Sequence, residues 1–242
     1  CLISWANTCA VPAVARSRRI ALGIDTGYTE PTEIAVFAQI QGRWRMFCRV
    51  GLRGKIIYET QANIIHKIAK FYNAEFMGID STGSPVIASL LTNPAGAYKD
   101  HNYAETVVEV CYNENIEYEI SGEKKKSKTK NFATDFLRSM FKKLLFELPL
   151  DEELISQFNS EKQKKTSTHL IILTPDNVHI TDSFRCFVVA YFKKYQEDFI
   201  EQDKYVAAPS LPMTGHTGVF KGSNHESIVD RVVSMFPGLR RL

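Results

Sequence analysis

The 242-residue chain lacks the marks of several common protein classes. It has five cysteines, Cys1, Cys9, Cys48, Cys111 and Cys186, with no CxxC pair and no metal-ligand spacing. An odd count without a framework excludes a disulfide scaffold and points to a reducing compartment. No apolar run approaches the roughly 20 residues that cross a bilayer, and the N-terminal residues lack the basic-then-apolar order of a secretory signal, so no membrane partner is expected. No GxxxxGK[ST] phosphate loop occurs, which excludes a P-loop motor from these residues. Nothing resembles a helix-turn-helix or zinc module for reading base edges, and no internal repeat is visible. A net charge of +3 is too small to demand a nucleic-acid partner, so local clustering matters more than the total. The chain begins at Cys1, not Met, and an upstream segment is expected.

What is present is material for a core. A hydrophobic fraction of 44% supports one domain with appendages. Residues 1–17 show no period and read as a linker or the edge of a missing domain. Residues 18–201 read as one α/β domain, and residues 202–242 as a tail with a helical patch over His225–Phe236. Ile20–Asp25 reads as a buried strand. Glu33–Gln39 and Arg43–Val50 form a hairpin closed near Gln41 and Gly42, so three sequential strands open the fold. Ile57, Ile64, Ile65, Ile68, Phe71 and Tyr72 recur at helical spacing. A strand over Glu75–Asp80 follows, and the right-handed crossover rule lays it parallel to the first. A helix over Pro85–Leu91, a strand over Thr106–Cys111, a helix over Asn131–Phe146 and a shorter one starting near Asp151 come next. The strand His169–Thr174 precedes a last helix expected to open at Asp182, with Phe184, Phe187, Val188, Tyr191 and Phe192 on its apolar side.

Three acids lie at element ends in this scheme. Asp25 and Asp80 close their strands at one end of the sheet, the edge where open α/β sheets place ligands, and Asp182 stands at a helix start. Each acid alone is more often a turn former or a helix cap. Together they are material for a divalent-metal site, since gathered carboxylates repel one another unless a cation lies between them. Hard cations such as Mg²⁺ prefer such oxygen ligands, and two of them can activate water and neutralise a phosphoryl centre. Asp25, at the middle of the sheet, suits a bridging position.

The stretches GIDTGYTEPTEIAVF, MGIDSTGSPVIASLL and HITDSFRCFVVAYF resemble the nuclease domain of the large terminase subunit of tailed bacteriophages, over Ile20–Phe192. TKNFATDFLRSMFKKLLFELP is similar to the helix that follows a basic loop in that family. The resemblance implies an RNase H-like mixed sheet with helices on both faces. It also implies Asp25, Asp80 and Asp182 as ligands of two Mg²⁺ or Mn²⁺ ions, with Glu30 assisting through water. The activity implied is cutting of concatemeric double-stranded DNA during genome packaging, leaving 5′-phosphate and 3′-hydroxyl ends. An ATPase motor on the parent chain, a portal or small terminase subunit, and the host cytoplasm are the implied partners and setting. Thr181 stands where the family usually has a second acid, which puts one auxiliary ligand in doubt.

Other residues leave alternatives open. Lys124, Lys125, Lys126, Lys128 and Lys130 read as a flexible basic loop that either contacts phosphates or is simply solvated. Arg43 and Arg45 flank Trp44 on the hairpin, where strand packing competes with a DNA contact. His179, three residues before Asp182, either approaches the site or is a packing or surface histidine, with the second reading favoured, and Cys186 reads as a small core residue. GIDTG and GIDSTG also resemble the phosphate loops of sugar kinases and actin-like ATPases, although a single core of this size would not enclose a nucleotide as those proteins do. A catalytically silent packaging module is a third reading.

Overall fold

The computed structural model describes residues 3–7, 19–120, 122–149, 151–165, 170–173 and 178–195, with the backbone alone at 3–7, 120, 162–165 and 170–173. The expected tail with its helical patch and most of the 1–17 segment lie outside these residues. The chain divides into two compact units, Cys1–Lys194 and Tyr195–Leu242.

The strands are β1 (Ile3–Asn7), β2 (Ile20–Asp25), β3 (Thr32–Ile40), β4 (Arg43–Leu52), β5 (Phe76–Asp80), β6 (Val107–Val110), β7 (Asn115–Ile120), β8 (Glu123–Lys128), β9 (Phe146–Glu147), β10 (Lys162–Lys165) and β11 (Leu170–Leu173). The helices are α1 (Tyr58–Tyr72), α2 (Val86–Thr92), α3 (Tyr103–Thr106), α4 (Thr129–Lys142), α5 (Glu152–Ser160) and α6 (His179–Lys194). The main sheet runs β1-β4-β3-β2-β5-β6, with β9 also on β4. The first three strands of the domain form an antiparallel meander, and β5 joins β2 in parallel after the α1 crossover, as the crossover rule requires. The β3–β4 turn falls on Gln41 and Gly42, both at positive φ (51° and 76°), the backbone of a two-residue hairpin loop that matches strand twist.

Two short hairpins stand apart from this sheet, β7–β8 and β10–β11. The lysine run therefore forms a paired strand, β8, and not the flexible loop expected from its composition. Its partner β7 alternates Glu117 and Glu119 with apolar neighbours, a period-two pattern hidden by the charge beside it. The last helix also starts one turn earlier than Asp182 suggests: His179 is its first residue, and the Asp182 N–H already donates to the Val178 carbonyl at 3.0 Å. Asp182 sits inside the first turn and is not the cap.

Helix α6 is the element that completes the core, and it is buried over Ile180–Phe192. A helix apolar almost all round must be covered on every side. Against the sheet, Phe187 meets Phe37, Trp44 and Phe76 with ring centroids 4.3, 5.0 and 5.9 Å away. On its outer side Phe192 meets Phe132 of α4 at 4.7 Å. Each such pair adds about 0.5–1.5 kcal/mol beyond area burial.

The close seat of α6 depends on two glycines that face one another across β2 and β5, Gly23 and Gly78. A Cβ on Gly23 would overlap the Ser183 carbonyl, and one on Gly78 would overlap the Cys186 carbonyl. The helix backbone thus rests on the bare sheet. Since strand side chains alternate, Asp25 and Asp80, two residues beyond these glycines, share the face on which α6 lies.

Candidate metal centre

The position of α6 over the glycine pair decides what meets the two strand-end acids. One helical turn back, about 5.4 Å, leads from Ser183 to His179 and from Cys186 to Asp182. Two residues up a strand, about 6.6 Å, lead from Gly23 to Asp25 and from Gly78 to Asp80. The two steps are similar in length, so His179 comes to Asp25 while Asp182 comes to the Asp80 side. His179 Nδ1 is hydrogen-bonded to Asp25 Oδ2 at 2.8 Å, and its Nε2 lies 3.7 Å from Glu30 Oε2. Of the two readings of His179, the less favoured one matches the geometry: it touches both Asp25 and Glu30. Its spacing of three from Asp182 is the one signal of this in the sequence.

Asp25 and Asp182 are buried and Asp80 is half-buried. Burial pushes the Asp25 carboxyl well above the usual range; the His179 hydrogen bond opposes this, and repulsion from Asp182 and Asp80 adds to it. Burial raises Asp80 too, against hydrogen bonds from Thr82 and Asp25, and Asp182 pushes it further. His179 is raised, chiefly by its bond to Asp25. Asp25 and Asp80 thus feel the Asp182 charge at one edge of the sheet.

Surrounding residues hold each acid in place. Asp80 Oδ1 accepts from the Thr82 N–H at 2.8 Å and from its hydroxyl at 2.5 Å, and the Tyr112 N–H donates to that same hydroxyl oxygen at 2.9 Å. The Thr26 hydroxyl donates to the Asp80 carbonyl at 2.9 Å, tying the two strand ends together. Buried Tyr112 lies beneath the site, its hydroxyl donating to the Asp182 carbonyl at 2.8 Å. Asp182 Oδ1 takes Arg185, one turn along α6, and Lys130 Nζ lies 3.4 Å from Oδ2. The loop that carries Glu30 is fastened by buried Gln61, which donates to the Gly27 and Ile56 carbonyls and accepts from Thr32. Glu30 itself is exposed.

Among the described residues no three His, Cys, Asp or Glu side chains stand close enough to hold one ion as they are. The donor set nonetheless fits a hard divalent cation: all its acids offer oxygen, they come from three elements, and burial with repulsion is lodged on Asp25 and Asp80. A contrast on the same sheet sharpens this. Glu33 stands opposite Asp25 in the ladder and is just as buried, yet it has Arg53 at 2.8 Å and Arg49 at 3.6 Å. The cationic partner of Asp25 among the described residues is a histidine.

The remaining expected contacts are spread out. Lys130 belongs to α4 and reaches the site, at 5.4 Å over the Tyr112 ring. Lys126 pairs with Glu117 at 2.9 Å, Lys125 lies 3.7 Å from Glu123, and Lys128 donates to the Asn113 carbonyl. Lys124 stands opposite Glu119 in the hairpin. Arg43 and Arg45 both bind Glu147. Arg45 is level with Ala38 and hence with Ile20, at the far end of β2 from Asp25.

An open mixed sheet with an antiparallel meander, a parallel fourth strand and acids at the strand ends defines the RNase H-like class. Within it, the chain has the fold of the nuclease domain of phage large terminases. The nuclease of the large terminase from thermophilic phage G20c, solved with bound magnesium, has a TM-score of 0.54 at 13% identity, covering 72% of this chain and 82% of that one. The Thermus phage P74-26 large terminase nuclease domain has a TM-score of 0.50 at 13% identity, covering 73% and 80%. A large terminase from another thermophilic bacteriophage, solved in complex with ADP, has a TM-score of 0.52 at 13% identity, covering 74% of this chain and 41% of that one. The sequence matches no protein-family model and no curated protein.

Proposed function

We propose that the chain is a metal-dependent DNA endonuclease acting in viral genome packaging. The observation that carries this reading is the seat of α6 on Gly23 and Gly78, which brings Asp182 and His179 to the strand ends that hold Asp25 and Asp80. Asp25, Asp80 and Asp182 would hold the ions, Mg²⁺ or Mn²⁺, with Glu30 at the rim. Cations bound there would lower the pKa of a water and neutralise charge on the scissile phosphate. His179 holds Asp25 in one orientation through Nδ1, and Thr82 does the same for Asp80. Lys130, partly exposed beside Asp182, is placed to meet a backbone phosphate entering the site. The neighbours in structure support a nuclease fold, and two of them are themselves terminase nuclease domains.

The ADP-bound terminase, of which this chain covers 41%, is a longer protein. It supports the inference that the domain works beside an ATPase motor on a longer parent chain. Double-stranded DNA, a portal or small terminase subunit, and the host cytoplasm complete the proposal. No helix among the described residues is long and apolar enough to cross a membrane.

Asp80→Asn tests the reading, because it keeps the shape of the side chain and removes its charge. Nicking of supercoiled plasmid in Mn²⁺ should fall by more than the roughly 10- to 100-fold that an outer partner of a metal ligand is worth. The circular dichroism spectrum should be unchanged. A variant that still nicks in Mn²⁺ at the wild-type rate would remove Asp80 from the chemistry.

A further inference from the structure

Arg185 lies in the core of the domain, its side chain 1% exposed, between two acids on different elements. One edge of its guanidinium meets Asp182 Oδ1, and another meets Oε2 of Glu161, the residue just after α5. Its Nε donates to the Thr134 hydroxyl of α4 at 2.9 Å. The other Glu161 oxygen, Oε1, accepts from the Thr181 hydroxyl at 2.7 Å, so both ends of that carboxylate are fastened. We propose that Glu161 and Arg185 are positioning residues for the metal centre: Glu161 shares the Arg185 charge with Asp182, and so leaves Asp182 negative enough to serve a divalent cation. The inference rests on the reading of Asp182 as a ligand.

Net charge in a dry place decides what Asp182 can hold. An arginine buried against Asp182 alone would form a neutral pair, with little left to attract a cation. Burial makes such a pair strong, because the screening that weakens charges in water is lost. With Glu161 on the opposite edge, the buried group of three is net negative, and Lys130, partly exposed 3.4 Å from Asp182 Oδ2, is the charge an arriving cation would displace. The planar fork of arginine is the side chain able to hold two carboxylates at once. A lysine would present one point charge and could not keep the two acids apart in fixed places. The same fork orients Asp182: Oδ1 is committed to Arg185, which turns Oδ2 to the side where Lys130 enters. Glu161 therefore acts on the site through Arg185 and is not itself a ligand.

The test is Mn²⁺ binding, followed by the loss of the free-ion electron paramagnetic resonance signal on the full chain without DNA. Glu161→Gln keeps an oxygen for Arg185 and turns its amide N–H to the Thr181 hydroxyl, which can accept it while donating to the Val178 carbonyl, so the fold should persist, as read by the thermal midpoint. It removes the charge, and Mn²⁺ should bind about tenfold more weakly, the lower end of what outer partners of ligands are worth. The double variant Glu161→Gln with Arg185→Met removes both charges and should bind Mn²⁺ at least as tightly as the wild type. A purely structural role would move the midpoint and leave affinity alone. Unchanged affinity in folded Glu161→Gln overturns the proposal while the metal reading stands. Should that variant not fold, weaker binding by the double variant than by the wild type overturns it. A wild-type chain that takes up no Mn²⁺ overturns the metal reading, and this inference with it.

Discussion

The strand-end site and the β7–β8 hairpin each gather charged side chains within a few ångströms, and they do so by opposite means. At the site the acids outnumber the cations and are largely buried, and packing forces them together: α6 cannot rest on Gly23 and Gly78 without carrying Asp182 toward Asp80. On the hairpin the charges alternate in sign and are exposed. Glu117 faces Lys126 and Glu119 faces Lys124 across the ladder, where solvent screens them and each pair contributes little. A cluster that costs free energy to assemble points to a ligand. One that neutralises itself does not.

The comparison can be broken most severely by lifting α6 from the sheet. Gly78→Ala sets a methyl group against the Cys186 backbone carbonyl, which cannot rotate away as a side chain could. The cost should exceed the roughly 1–3 kcal/mol usual for an overpacked core. For a domain of this size that lowers the melting midpoint by about 5 °C or more. Any folded fraction should lose Mn²⁺-dependent nicking, because Asp182 moves with the helix. Gly83→Ala is the control, since nothing lies within 4 Å of a Cβ there. A Gly78→Ala protein with wild-type melting and nicking would mean that the helix contact does not build the site.

That contact also shows how much can be read from the sequence. The two strands ending at Asp25 and Asp80, their parallel pairing and the hairpin at Gln41–Gly42 all follow from period, turn residues and handedness. The repeat of Gly-Ile-Asp at 23–25 and 78–80 is open to view, yet its meaning depends on a helix about a hundred residues away. The role of His179 is hidden for the same reason: nothing local distinguishes a histidine at a helix start from one touching Asp25. Thr181 stands out as a missing acid, but Glu161, which comes back to its hydroxyl, sits in a polar stretch without period. The lysine run reads as a loop because charge masks the alternation of β7. Arg43 and Arg45 are answered by Glu147, a residue in a two-residue strand too short to leave a pattern.

A smaller perturbation leaves the packing intact and touches only the polar frame beneath the acids. Tyr112→Phe removes the hydroxyl that donates to the Asp182 carbonyl and lies 3.2 Å from Cys186 Sγ. The carbonyl keeps its helical donor, so losing this one bond should cost about 0.5–1.5 kcal/mol. The midpoint should fall by roughly 1–6 °C, as measured by scanning calorimetry. The ring remains under Lys130, so nicking at room temperature should fall far less than in Asp80→Asn. If Tyr112→Phe melts as the wild type does, the floor of the site is not held by that bond.

The finest test asks whether the hairpin's charges are as self-contained as they look. Lys126 spends its charge on Glu117, and Lys124 stands opposite Glu119, so neither is free to seek a phosphate at full strength. Removing the glutamate charges with Glu117→Gln and Glu119→Gln should release both lysines without disturbing the ladder, since the two strands pair through their backbones. Each lysine that then meets a phosphate should steepen the dependence of log K on log salt by about 0.9, measured as nonspecific duplex binding between roughly 50 and 200 mM salt. Binding should tighten most at the low-salt end, where screening is weakest. An unchanged slope would place the hairpin away from DNA altogether. The phosphate contacts of the domain would then have to come from Lys130 and the rim of the site.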